Sequence, residues 1–115
     1  MLPVHDLQRA VVFYTTGLGL QLKFKKKGWV ELAWGVDCII ALRAGSNEHP
    51  RYSGLTFQVE DIICVVEALV GLGANIMVKP AYTAGQSVVL AELMDPEGNR
   101  FFLSQTLKYG AKNRR

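Results

Sequence analysis

Val4-His5-Asp6-Leu7, near the start of the chain, is answered by Val59-Glu60-Asp61-Ile62 near its middle. Each is a valine, two polar residues ending in aspartate, and then an aliphatic residue. An aspartate after an extended segment is a strong helix cap, because its carboxylate accepts from the free N–H groups of the first turn. Both segments therefore predict a strand running into a helix. Further on, Leu18-Gly19-Leu20 is matched by Leu72-Gly73-Ala74, one residue out of step. An internal repeat of this kind changes the expectation for the whole fold.

The elements on either side keep the same order twice. In the first half, Leu2 to Val4 is a short strand. Leu7, Ala10, Val11 and Tyr14 recur at i, i+3, i+4 and i+7, which predicts a helix to about Thr16, stopped by Gly17 and Gly19. Leu20, Leu22 and Phe24 alternate with Gln21, Lys23 and Lys25, the pattern of a half-buried strand. Gly28 turns the chain into strands at Trp29 to Trp34 and Asp37 to Arg43. Ala44 to Tyr52, with Gly45, Ser46, Asn47 and Pro50, reads as a connection. The second half predicts a strand from Ser53 to Val59 and a helix with Ile62, Val66, Leu69 and Leu72 on one face. A strand from Ala74 to Val78, a loop from Lys79 to Gly85 containing Pro80, and strands at Ser87 to Met94 and Arg100 to Gln105 follow. The expected class is α+β: two βαβββ repeats, residues 1–44 and 53–106, forming curved mixed sheets around a cleft, with a basic tail at 107–115.

Composition narrows the function. The chain has 115 residues, half hydrophobic and a fifth charged, so one globular domain is expected and wholesale disorder is excluded. No apolar run approaches the roughly 20 residues of a membrane helix, and the first ten residues lack the pattern of a secretory signal, so a cytoplasmic protein is expected. Cys38 and Cys64 sit among aliphatic residues and read as buried thiols rather than a disulfide framework. Without Lys108, Lys112, Arg114 and Arg115 of the tail, the body holds nine basic and ten acidic residues. No basic face for nucleic acid is expected. Lys25 to Lys27 read as a solvated turn that blunts a sheet edge.

The opening Val4-His5-Asp6-Leu7-Gln8-Arg9-Ala10 with Phe13-Tyr14 and Gly17-Leu18-Gly19-Leu20 resembles the vicinal oxygen chelate superfamily. That superfamily holds glyoxalase I, bleomycin-resistance proteins, fosfomycin-resistance enzymes and extradiol dioxygenases. Asp95-Pro96-Glu97-Gly98-Asn99-Arg100-Phe101 is similar to its closing turn. The turn also has its own physical reading, since Pro96 suits the second position of a tight turn and Gly98 or Asn99 a positive φ. The resemblance implies metal-donor positions at about Ala41, Gly54 and Phe102, with a fourth falling before Met1. None of the three carries a donor atom. His5 and His49 are the only histidines; His5 is expected on the surface by the helix cap, and His49 in the connection. No metal cofactor is therefore expected. A divalent metal serving a lyase, isomerase or dioxygenase is the alternative.

Period-two alternation from these positions selects the cleft-facing set. Ile39 and Arg43 join Ala41, Thr56 and Gln58 join Gly54, and Arg100 and Ser104 join Phe102. The opposite parity, Ile40, Leu42, Leu55, Phe57, Val59, Phe101 and Leu103, is apolar as a helix-facing core requires. By the same rule Trp29, Glu31 and Ala33 face the cleft, opposite to Val30, Leu32 and Trp34. Glu92 interrupts an apolar strand and shares parity with Val88, Leu90 and Met94. Arg43 with Glu31, and Arg100 with Glu92, are also candidate cross-strand ion pairs. Tyr14 is expected in the core. The expected function is binding of a small molecule, such as ligand or drug sequestration. A metal-free enzyme with Glu31 or Glu92 as general base is a third reading, and either would need burial or a like charge to raise its pKa. The short first strand and the opposite parity of Trp29 and Trp34 point to a homodimer whose clefts draw on both chains.

Overall fold

The computed structural model describes residues 1–35, 38–45, 52–82 and 87–107. The two aspartates do what the repeat implies. The Asp6 carboxylate accepts from Arg9 N at 3.0 Å and opens α1 (Leu7–Val12); Asp61 accepts from Cys64 N at 3.1 Å and opens α2 (Ile62–Gly71). The strands are β1 (Leu2–Val4), β2 (Gln21–Lys26), β3 (Trp29–Trp34), β4 (Cys38–Ala44), β5 (Tyr52–Gln58), β6 (Asn75–Tyr82), β7 (Val88–Met94) and β8 (Arg100–Thr106). They form two four-stranded mixed sheets, ordered β1-β4-β3-β2 and β5-β8-β7-β6. In each the first strand pairs in parallel with the last and the other pairings are antiparallel. The fold is thus α+β with two βαβββ modules. No described helix is long and apolar enough to cross a membrane.

Register matches the β3–β4 pair to the β7–β8 pair residue by residue. Leu2 pairs with Leu42 and Phe57 with Leu103, so Ala41 and Phe102 are counterparts. Glu31 lies opposite Ala41 and Glu92 opposite Phe102. The two glutamates therefore occupy the same position in the two sheets. On the helix side, Val30, Leu32, Ile40, Leu42, Phe57, Phe101 and Leu103 are all buried, as their parity requires. They join Ala10, Phe13, Ile62, Val66 and Leu69 in one apolar cluster spanning both modules. Trp34 finds a place there, its ring edge-to-face with Phe57 at 5.1 Å.

Four local expectations need correction. The first helix does not stay α-helical to Thr16: it widens into a π-helical turn at Phe13–Gly17. There Gly17 lies so close to α2 that a Cβ would come within 2.4 Å of Leu69 Cδ2. β2 is exposed along its whole length rather than half-buried. A bulge between Leu22 and Phe24 breaks its alternation, so Leu22 pairs with Leu32 but Phe24 pairs with Glu31. β6 runs through Pro80 instead of ending at Val78; it is an edge strand, where a missing N–H costs no ladder bond, and its register slips between Val78 and Ala81. Cys64 is exposed, not buried, because the buried stripe of α2 follows Ile62, Val66 and Leu69. The side chain of Cys38, His49, the centre of the connection and the basic tail lie outside the described residues.

The Asp95–Asn99 turn joins the modules. Gly98 takes φ 95°, a conformation that favours glycine. The Asp95 carboxylate accepts from Glu97 N and Asn99 N, each at 2.9 Å, and from the Tyr14 hydroxyl at 2.6 Å. Burial raises its pKa above the ordinary aspartate value despite those donors. Burial, reinforced by the Asp95 charge, likewise raises the Tyr14 pKa well above that of a free tyrosine. Asn99 donates to Pro3 O in β1 at 2.9 Å. Glu97 reaches into the first module, accepting from His5 N, Asp6 N and the Arg9 guanidinium. Burial pushes the Glu97 pKa up, but these donors outweigh it and hold the carboxyl below its ordinary value.

Candidate functional site

The residues that alternation assigns to the cleft lie on the sheet faces turned away from the helices. They form two groups, one on each sheet. On the first sheet, Lys26, Trp29 and Arg43 make one cross-strand row, and Phe24, Glu31 and Ala41 the next. The Trp29 indole donates to Glu31 Oε2 at 2.9 Å, and Lys26 Nζ lies 5.9 Å from its ring centroid. The ring thus meets a cation over its face and a carboxylate at its N–H edge. No Glu31–Arg43 ion pair forms among the described residues: Glu31 is engaged by the indole, and Arg43 is exposed opposite Trp29.

On the second sheet, Thr56, Phe102 and Glu92 share a row with Val78, and Gln58, Ser104 and Leu90 make the next. Glu92 pairs diagonally with Arg100, Nε to Oε2, at 3.7 Å, so this cross-strand pair forms. Gln58 Nε2 donates to Thr106 Oγ1 at 3.2 Å. Phe24, Lys26 and Val78 belong to these faces and were not legible as such, because bulges in β2 and β6 reset the alternation that assigns them.

In the single chain both faces are open. Ile39 is 54% exposed, Phe24 48% and Val78 51%. Two cavities lie elsewhere. One, of about 210 Å³, sits between β1, β4 and β5 and is lined by Leu2, Ile40, Ser53 and Asn99 among others. The other, of about 360 Å³, lies between α1 and β2.

A metal ion does not fit the residues at the donor positions that the family resemblance implies. Ala41 and Phe102 carry no donor atom, and Gly54 has no side chain and sits where β5 slips register against β8. Among the described residues no three His, Cys, Asp or Glu side chains come together where they could hold one.

The model of the Glyoxalase/Bleomycin resistance protein/Dioxygenase superfamily matches residues 1–103. The chain belongs to that superfamily. No curated protein matches it. Among solved structures it is similar to a superfamily enzyme from Burkholderia phytofirmans PsJN, with 20% identity, TM-score 0.79, and 92% of this chain and 94% of that one covered. A superfamily member from Sphaerobacter thermophilus DSM 20745 gives 23% identity and TM-score 0.75 over 90% and 91% of the chains. TnmS3, an antibiotic binding protein from Streptomyces sp. CB03234, gives 25% identity and TM-score 0.71 over 91% and 90%. Membership in the superfamily fixes the scaffold but not the chemistry on its sheet faces.

Proposed function

We propose that this chain binds a small organic molecule without a metal ion, for sequestration rather than catalysis, in clefts that two copies of the chain complete. The observation that carries the reading is one of side-chain chemistry: Ala41, Gly54 and Phe102 stand where metal-using relatives would need donors, while Trp29, Glu31, Glu92 and Arg100 occupy the same faces. Aromatic surface with a few placed polar groups is the usual composition of a ligand site. The likeness to an antibiotic binding protein supports the same class of ligand. The open faces favour a second copy as the opposite wall, since buried aromatic residues are enriched in interface cores.

The test combines three measurements on protein purified without an affinity metal. Elemental analysis gives no stoichiometric metal. Isothermal titration against a panel of aromatic and cationic drugs finds a ligand whose affinity survives a chelator and falls in Trp29→Ala. Light scattering gives twice the 12.7 kDa chain mass. Stoichiometric nickel, zinc, iron or manganese, or binding abolished by the chelator, overturns the metal-free reading. Uniform silence across the panel overturns the binding reading. A mass of one chain overturns the shared cleft.

A further inference from the structure

We propose that the groove between α1 and β2 is a second binding site, for a medium-chain carboxylate. It lies on the helix side of the first sheet, away from the faces described above. Its floor is Val30, which is buried; Leu7, Val11 and Val12 of α1 form one wall and Leu22 of β2 the other. Its volume of about 360 Å³ is within the range of small-ligand pockets. Leu22 is 56% exposed and Val12 43%, so the chain leaves two aliphatic side chains bare across an apolar floor.

The β2 bulge makes this groove. With regular alternation Leu22 and Phe24 would share the helix side, and the Phe24 ring would fill the space. The register shift turns Phe24 to the opposite face beside Glu31 and brings Lys25 to the helix side beside Val30. The result is an aliphatic slot with a lysine at its mouth. Gln8 is its other polar lining residue, and no acidic side chain lines it. Of the two acids adjacent in sequence to lining residues, Asp6 caps Arg9 N and Glu31 accepts from the Trp29 indole on the opposite face of the sheet. Apolar walls recognise an alkyl chain by burying it, and a lone cation at the rim favours a negative headgroup over a neutral one. A carboxylate whose chain lies against Leu22, Val11 and Val12 and whose headgroup reaches Lys25 satisfies both.

Octanoate, with 1-octanol as the uncharged control, tests the site by amide chemical-shift titration of the full chain. Octanoate is expected to give saturable shifts at Val11, Val12, Leu22 and Lys25. Lys25→Glu is expected to weaken octanoate by about fivefold, the upper end for an exposed ion pair, and to leave octanol unchanged. Leu22→Glu is expected to abolish both, and Trp29→Ala neither. If Leu22→Glu fails to fold, Lys25→Glu on the exposed edge strand still decides. Absence of saturable shifts at these amides overturns the proposal, as does equal loss of octanoate and octanol in Lys25→Glu. Octanoate binding lost together with Trp29 also overturns it. So does a dependence of the same shifts on protein concentration alone, which would show a second copy of the chain in the groove.

Discussion

The first sheet and the second agree on the face turned toward the helices and part company on the other. Toward the helices, Leu32 and Leu93 are counterparts, as are Leu42 and Leu103, and all four are fully buried. Facing away, Trp29 is answered by Leu90, Ala41 by Phe102, Arg43 by Ser104 and Ile39 by Arg100; only Glu31 and Glu92 coincide. The helix side must fill one cluster shared by both modules, and packing tolerates little change of volume there. The other side belongs to no such shared cluster, and its residues differ between the modules. The helix entrances show the same split. Asp6 and Asp61 cap identically, but a second acceptor comes as buried, charged Glu97 from the other module for α1, and as neutral Gln105 from the same module for α2.

The sharpest way to break this comparison is to truncate the paired leucines. Leu32→Ala and Leu93→Ala are each expected to cost about 2–5 kcal/mol, by chemical denaturation, in a single transition. Two separable transitions, or loss from one module only, would show that the modules do not share a core. The next contrast is between the helix entrances. Glu97→Ala is expected to cost about 1–3 kcal/mol, because it strands the His5 and Asp6 N–H groups, against about 1 kcal/mol for Gln105→Ala.

Acid sharpens that contrast. The Glu97 pKa is held below its ordinary value near 4.3. Its contribution is therefore complete above that ordinary value and is lost as pH falls through the depressed folded value. Asp95 has the opposite sign: its pKa is raised by burial, so acid relieves the cost of its charge. Thermal melts on acidification should accordingly show the deficit of Glu97→Gln narrowing below about pH 4.3. A deficit constant with pH would mean that Glu97 acts by shape alone. The smallest effect is expected at Cys64, exposed at the position where α1 carries Arg9. Cys64→Ser should change stability by less than about 0.5 kcal/mol, and a thiol reagent should label Cys64 in the folded protein without delay.

Residue pattern alone determined the repeat, both helix caps, and the inward parity of β3, β4, β7 and β8. These rest on local physics: a carboxylate reaches its own first turn, and successive strand residues point to opposite faces. The same rules assigned Trp29, Glu31, Glu92 and Phe102 to one side of their sheets. Tertiary structure decided the rest, because each remaining feature depends on what lies beside the element in space rather than on its own residues. The bulge in β2, which sends Phe24 one way and Lys25 the other, is set by its pairing with β3 and not by its own alternation. Pro80 could enter β6 only because nothing pairs with that edge among the described strands. Glu97, which reads as one residue of a tight turn, becomes the cap of a helix 91 residues earlier in the chain only when the two modules close on each other.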